Sequence, residues 1–365
     1  MNTSSVISNA EERNAELWLE EIMALLPEFK AHLEKHGWVV FPKVFTEKQC
    51  KELAARLIKA TEDRYKGFSA SDPNSITARY ASTRRSMEQR EGAGHEQACH
   101  DARANPNVRN LFALLWGLEP TARTSTDVGP PLLSSTDAYC YAVAHEEMSK
   151  TLAPHHRRND GDFANEEKKP WWHLDQTTSV LECYQGFATF EEIGPKDACV
   201  CFLDGSHRHH KEFFETKAGK IDKRNWYMLN KKSPDELDWF KAKGCEPVNV
   251  TMPKGSFVIW DSRLVHQGSP AMKTREVPRD RILAYISMAP VSMCSHADLE
   301  RKRNAFYNGD MTTHWPHKYI SAFPFSPNTR YLSSEELAEH NVKKMAYTQR
   351  KKAKLGPPNI DTITD

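Results

Sequence analysis

Apolar residues recur at spacings of three and four between residues 11 and 36, at Leu17, Leu19, Ile22, Leu25, Leu26, Phe29 and Leu33. That rhythm predicts an amphipathic helix. The next stretch, Gly37-Trp-Val-Val-Phe-Pro42, reads as a short buried strand. Thr46 with Gln49 three positions on is a capping box, and it opens a second helix carrying Leu53, Leu57 and Ile58. Residues 64–105 are polar and Arg-rich without a clear period, which predicts a long loop or a lid-like insertion. A further helix fits Pro106 to Leu118.

From Leu132 the pattern changes to short apolar runs bounded by Gly, Pro and Asp. Leu132 to Val143, Ser179 to Phe190, Ala198 to Leu203, Pro247 to Met252, Ser256 to Trp260 and Arg281 to Met288 are predicted strands. A helical tail is predicted from Ser333 to Lys352. Helices first, then strands, then helix suggests a mainly β fold with helical layers. The expected core is a double-stranded β-helix, that is, a jelly roll of the cupin kind. We expect one elaborated domain over 1–365, with a helical layer and insertion at 1–130, the β core at 131–292 and an extension at 293–365.

Composition narrows the function. Hydrophobic residues make up 39% and charged residues 27% of 365, ordinary values for a globular chain able to bury a large core. The net charge of +1 lacks the basic excess a nucleic-acid surface needs. The basic run Gln349-Arg-Lys-Lys-Ala-Lys-Leu355 reads as a solvated helix end. No signal peptide or membrane span is visible, and the eight cysteines form no CxxC pair. The expectation is a cytoplasmic protein in a reducing compartment, acting on a small molecule, with no nucleic acid, membrane or obligate protein partner.

The chemistry concentrates in two segments, Trp171-Trp-His-Leu-Asp-Gln176 and Trp260-Asp-Ser-Arg-Leu-Val-His-Gln-Gly-Ser-Pro270. His173 and Asp175 are two apart, so on a strand they share a face. With His266 they offer two imidazoles and a carboxylate, the facial set that leaves open positions on ferrous iron. A structural histidine is the plain alternative for each ring taken singly. Arg281 opens the last apolar run, and a guanidinium there matches a dicarboxylate's two oxygens. Arg279 has the same strand parity and is the fallback, while Arg275 falls in the polar loop. These features describe an Fe(II)- and 2-oxoglutarate-dependent oxygenase.

The motifs also resemble those of the phytanoyl-CoA dioxygenase family. Gly37 to Thr46 resembles its opening strand–turn–helix, and the Trp171 to Gln176 segment its iron motif. Tyr184-Gln-Gly186 and Gly194 to His207 resemble its central strands and Gly-Ser-His turn; Trp260 to His266 and Arg281 to Tyr285 resemble its distal segments. Thr312-Thr-His-Trp-Pro316 resembles a tail motif of a microbial and fungal branch. The likeness runs from about residue 35 to 320 with the motifs in order.

The resemblance implies His173, Asp175 and His266 as iron ligands and Arg281 as the 2-oxoglutarate clamp. It also implies Gln185 as a strand residue able to reach the cosubstrate. O₂ and 2-oxoglutarate would be converted to succinate and CO₂, with ascorbate as an accessory reductant. The presence of Asp175 argues against halogenation, for which related enzymes carry a small residue there, and for hydroxylation, desaturation or oxidative cyclisation. The Arg-rich insertion favours a polar or carboxylate-bearing substrate, and the branch points to secondary metabolism. Alternatives are a fatty acyl-CoA hydroxylase, a cupin-like zinc or nickel enzyme that does not use 2-oxoglutarate, and a silent binding protein.

One departure is Asp197-Ala-Cys, where relatives have paired glycines. Other conspicuous groups have plain readings. The His207, His209, His210 cluster follows a structural turn, and His95, Cys99 and His100 lack a partner pair for zinc. His155-His-Arg-Arg158 could meet an anionic substrate or be solvated. Of Trp171 and Trp172, one is expected in the core and the other at the cavity. Arg263 and Asp137 stay ambiguous.

Overall fold

The computed structural model describes residues 3–76, 78–79, 87–121, 129–143, 171–218, 225–230, 234–272 and 274–323. The predicted tail helix at 333–352, the basic run at 349–355 and the loop at 155–158 lie outside these residues.

Helix α1 spans Thr3–His36. Trp18, Leu19, Ile22 and Leu33 are buried, with Leu26 and Phe29 packed beside them. Leu17 and Leu25 were expected on the same stripe but are 53% and 43% exposed. Eight residues apart, they follow a separate row on the solvent side. The capping box forms as predicted. The Gln49 amide donates to Thr46 Oγ1 at 3.2 Å and the Thr46 amide donates to Gln49 Oε1 at 2.9 Å, opening α2, Glu47–Arg64.

The described part of residues 64–105 holds regular elements between its loops. It contains strand β2, Met87–Glu88, and helix α3, Gln97–Ala104, and β2 pairs into the main sheet. The segment's buried apolar residues, among them Phe68, Ile76, Ala93, Ala98 and Ala102, follow no single period, and a buried ion pair adds to the anchor. Arg79 is fully buried and donates to Glu88 Oε1 at 3.0 Å and to the Tyr141 carbonyl at 2.6 Å. Helix α4, Pro106–Trp116, follows with Asn105 as its cap.

The strands form two facing antiparallel sheets. Strands β1 (Trp38–Phe41), β10 (Phe257–Asp261), β6 (Tyr184–Thr189), β12 (Arg281–Tyr285), β4 (Tyr139–Ala142) and β2 make one, in that order. Strands β8 (Tyr227–Met228), β5 (His173–Leu174), β11 (His266–Ser269), β7 (Cys199–Leu203) and β9 (Pro247–Asn249) make the other. From β4 to β12 the chain passes back and forth between the sheets, which is the jelly-roll winding expected from the sequence. The run Leu132 to Val143 splits into β3, Leu132–Ser134, and β4. The run Arg281 to Met288 likewise splits into β12 and β13, Met288–Pro290, and β3 pairs with β13.

Alternation divides each strand between two cores. On β12, Leu283 packs between the sheets while Ile282 and Ala284 pack outward among residues of α1, α2 and α4. Between the sheets lie Phe187, Val200, Phe202, Val258 and Trp260. Gly186 is required where β6 meets β10, since a Cβ there would stand 2.6 Å from the Val258 carbonyl oxygen. Gly205, at φ +70°, makes the turn after β7. Ser206 in that turn accepts from the Val265 amide at 2.9 Å, fixing the chain one residue before His266. No helix among the described residues is long and apolar enough to cross a membrane.

Helices α5 (His210–Thr216) and α6 (Glu236–Lys241) cover the second sheet, and α7 (His296–Asn308) follows the last strand. After α7 the chain returns to the barrel. The Thr312 amide donates to the Thr136 carbonyl at 2.8 Å and Thr312 Oγ1 accepts from the Thr136 amide at 2.9 Å. This reciprocal pair docks the segment around residue 314 against the residues just before β4.

Candidate metal and cosubstrate site

Pairing of β5 with β11 sets His173 directly opposite His266. Asp175 follows β5 on the same side as His173, and its amide donates to the Ser262 carbonyl at 3.2 Å. One ligand atom from each residue lies within 4.8 Å of the other two, and all three residues are buried. Asp175 Oδ2 is 3.4 Å from His266 Nε2 and 3.9 Å from His173 Nε2. A first-row ion bound at about 2.0–2.2 Å from each atom fits between them after a small contraction. Among the described residues this is the one such group.

The rings are pre-set for a metal. His173 Nδ1 donates to the Trp171 carbonyl at 3.1 Å and His266 Nδ1 to the Leu264 carbonyl at 3.0 Å. Each Nε2 therefore faces the third residue of the group, and each ring has one orientation. Burial, followed by the nearby His266, lowers the His173 imidazole to about 4, so it is neutral near pH 7. Burial opposes the charged Asp175 carboxylate. His314, His173 and His266 outweigh that and hold it well below the usual carboxylate range. The site thus presents a neutral His173 nitrogen and one anion beside the His266 ring.

Supporting bonds come from both sides. Gln185 Nε2 on β6 donates to Asp175 Oδ2 at 3.1 Å, so Gln185 orients the carboxylate from the opposite sheet. Sequence reasoning expected Gln185 to reach the cosubstrate. Its side chain lines the same cavity, but its hydrogen bond ends on Asp175. Gln176 Oε1 accepts from the Glu182 amide at 3.1 Å and from Ser262 Oγ at 2.7 Å, which knots the loop after β5.

The cavity holds about 600 Å³ and reaches from the triad to Arg281. Arg281, Leu283 and Tyr285 share the inward face of β12. The Arg281 guanidinium contacts Cys140 Sγ at 3.6 Å and lies 5.7 Å from the centre of the Phe187 ring. Tyr285 hydrogen-bonds to it. Its Nε is buried without a partner, and no Asp or Glu among the described residues pairs with it. Arg279 is different: it bonds Asp197 at 3.2 Å and Glu192 at 3.3 Å. Asp197 also accepts from the Gly194 amide at 2.9 Å and stands 4.0 Å from Arg275. The residue that departs from paired glycines therefore occupies the alternative arginines and leaves Arg281 open.

The remaining expectations also find their places. Trp172 is buried, whereas Trp171 is 39% exposed and stacks on His173 with centroids 4.2 Å apart. His207 Nε2 bonds the Glu34 carbonyl at 3.0 Å and His210 Nε2 the Gln176 carbonyl at 2.8 Å, both structural roles. His95 bonds the Asp310 carbonyl at 2.7 Å. Arg263 is held by Asp261 at 2.6 Å and borders a separate hollow of about 590 Å³ beside α1, which contains none of the triad.

His314 had no assigned role in the sequence. Its ring bonds the Asp175 backbone, and its Nε2 is buried without a partner beside the triad. The tail motif around it was the available signal, but nothing in its spacing showed that it folds back to residue 175.

The sequence model of the phytanoyl-CoA dioxygenase family matches residues 33–277. The chain is 25% identical over 301 residues to Ava biosynthesis cluster protein O of Aspergillus versicolor, covering 80% of this chain and 87% of that protein. It is 19% identical over 316 residues to a putative phytanoyl-CoA dioxygenase of Dictyostelium discoideum, covering 79% and 84%. Among solved structures it is similar to the epimerase SnoN from nogalamycin biosynthesis, with 14% identity, a TM-score of 0.44 and coverage of 73% of this chain and 84% of that one. EctD from S. alaskensis, solved with 2-oxoglutarate and 5-hydroxyectoine, matches with 14% identity, a TM-score of 0.40 and coverage of 72% and 75%. With the family match spanning more than half its length, this chain belongs to the phytanoyl-CoA dioxygenase family and is an Fe(II)- and 2-oxoglutarate-dependent dioxygenase.

Proposed function

We propose that the enzyme holds Fe(II) with His173, Asp175 and His266, binds 2-oxoglutarate with Arg281, and oxidises an unactivated C–H bond of a small polar metabolite. The outcome is hydroxylation, desaturation or oxidative cyclisation, and the setting secondary metabolism. The observation that carries this reading is Arg281, a buried guanidinium without a carboxylate partner among the described residues, opening into the triad's cavity. A buried charge left alone is costly, and a dicarboxylate bound there would supply its counterion.

When bound, iron with 2-oxoglutarate and O₂ supplies the oxidising equivalent, with succinate and CO₂ as products. The chain's own contribution is positioning. Carbonyls of residues 171 and 264 hold the imidazoles, Gln185 holds the carboxylate, and Tyr285 steadies the arginine. Phe187, Val200 and Trp260 give the cavity apolar walls that exclude water. The eight cysteines are free thiols, which suits a reducing cytoplasm.

The relative from a biosynthesis cluster of Aspergillus versicolor supports a metabolite substrate over a fatty acyl-CoA. The test is to incubate enzyme, Fe(II), ascorbate and 2-oxoglutarate with a metabolite library and to follow succinate and product masses. Succinate formation that needs iron and disappears in Arg281→Met supports the reading. Turnover indifferent to 2-oxoglutarate would transfer the protein to the cupin-like alternative.

A further inference from the structure

The cavity extends past the iron ligands to a wall that the reaction, as read so far, does not use. Asp137 forms part of it. This residue is 8% exposed and sits just before β4, where the Thr136–Thr312 pair fastens the returning C-terminal segment. Its Oδ1 accepts from the Ala138 amide at 2.7 Å. Oδ2 has no hydrogen-bond partner among the described residues and is left to the cavity. Arg103 lies near, but its two bonds end on backbone carbonyls, at 2.7 Å on Gly94 and 3.0 Å on Asp137 itself. The carboxylate thus has a cation in its field and none in contact. Burial raises its pKa to about 7, as expected for an acid whose charged form lacks a direct partner.

Two indoles line the cavity as well. One face of the Trp171 indole covers His173, and the ring is partly exposed at the cavity rim. Trp226 lies 6.0 Å from His173 and lines the same space. Two indoles and a lone carboxylate lining one cavity suit one class of guest. A cation is favoured by both, through the charge pair and through the indole quadrupoles. A planar apolar body fills the remaining area. A carboxylate-bearing guest gains no such charge pair from Asp137.

Resting on the iron and 2-oxoglutarate reading above, we propose that the substrate is a flat, aromatic small molecule carrying a basic nitrogen, anchored by Asp137 and held between Trp171 and Trp226. The polar substrate expected from the sequence thereby becomes an amine, and the carboxylate alternative is set aside. Asp137 fixes which C–H bond faces the iron.

The test compares two probes of one shape and opposite charge, tryptamine and indole-3-propionate. Each is titrated calorimetrically, without oxygen, into enzyme loaded with Fe(II) and 2-oxoglutarate. Tryptamine is expected to bind at least tenfold more tightly. In Asp137→Asn that preference should collapse, with a separate 2-oxoglutarate titration of the variant reporting whether its site is intact. Equal affinities, a preference for the acid, or no binding of either probe by the wild type overturns the proposal. So does an Asp137→Asn protein that keeps the tenfold preference. If Asp137→Asn does not fold, the wild-type comparison of the two probes still decides. Wild-type enzyme that binds no 2-oxoglutarate overturns both this inference and the reading beneath it, whereas cosubstrate binding without the amine preference overturns this inference alone.

Discussion

Two buried guanidinium groups flank strand β4 from opposite sides. Arg79 reaches it from the helical side, bonding the Tyr141 carbonyl and closing an ion pair with Glu88. Arg281 reaches it from inside the barrel, touching Cys140 and bonding Tyr285, with no carboxylate among the described residues. Both face strong desolvation, yet only Arg79 has a partner that neutralises it. The histidines differ in which nitrogen they spend. His207 and His210 each spend Nε2 on a backbone carbonyl, whereas His173 and His266 spend Nδ1 and keep Nε2 free. Residue type does not separate structural from functional copies in this protein. What separates them is whether the unbonded atoms converge, as the Nε2 atoms of His173 and His266 do on Asp175.

The sharpest way to break this division is at the free imidazoles. His173→Ala removes one of the three proposed ligands, and turnover is expected to fall beyond the 10–100-fold typical of an outer-shell change, to about 10³-fold or more, with loss of bound iron. Metal analysis after gel filtration and a succinate assay check it. A variant retaining iron and substrate-dependent succinate formation would refute the ligand assignment.

The arginines come next, and their variants should fail differently. Glu88→Ala strands the Arg79 charge, at a cost of about 3–5 kcal/mol in unfolding free energy. Its KM for 2-oxoglutarate should stay near wild type if the folded fraction is assayed. Arg281→Met removes a charge that has no partner to strand. Its stability should hold or rise, while KM for 2-oxoglutarate climbs about 100-fold, the loss of roughly 2–3 kcal/mol of charge-assisted hydrogen bonding. Denaturant melts and cosubstrate titrations on both proteins make the comparison. An Arg281→Met enzyme with unchanged KM, or one as unstable as Glu88→Ala, removes the contrast.

These contrasts also mark what the sequence could tell. The triad was legible because its residue types are chemically specific and the period of two put His173 and Asp175 on one face. Arg281 was legible because it opens an apolar run. Its separation from Arg279 was not, since that depends on Asp197, 82 positions away, taking one arginine and sparing the other. The insertion before residue 105 was misjudged for a related reason. An ion pair buried beneath a short strand leaves no hydrophobic rhythm, and the segment's buried apolar residues follow no single period. Asp137 and His314 became informative only through the Thr136–Thr312 docking, a contact across 176 positions that local pattern cannot encode.

Acid should separate the satisfied histidines by stability. Burial lowers the His210 imidazole to about 4, against about 6.5 unfolded, so the folded ring stays neutral while the unfolded one takes a proton. The stabilisation is present above pH 6.5 and is lost as pH falls from there towards 4, by at most about 3 kcal/mol. His317 and His173, also lowered to about 4, add to the same trend in metal-free protein. In His210→Asn, denaturant melts of metal-free enzyme should show a flatter pH dependence across that window while iron binding at neutral pH is kept. An undiminished slope would mean that His210 is not buried as a neutral donor, and lost iron would mean that it belongs with the ligands.

The smallest expected effect falls on Gln185, which lies on the boundary between the two groups. It is satisfied, but by a ligand. Its amide donates to Asp175 Oδ2 across the gap between the sheets, so it holds the carboxylate in place. Truncation to Ala should weaken iron binding about tenfold, the lower end of outer-shell effects, through a less well oriented carboxylate. Competition against a chelator measures that affinity, and a 2-oxoglutarate titration at saturating iron provides the control. If Gln185 acts on the metal through Asp175, only the first quantity moves. If it contacts the cosubstrate as the sequence suggested, KM for 2-oxoglutarate rises and iron affinity does not. Gln185→Glu sharpens the outcome, because a second carboxylate facing Asp175 replaces a donor with repulsion. It should lose more iron than Gln185→Ala at neutral pH and recover part of the difference as acid protonates the new side chain.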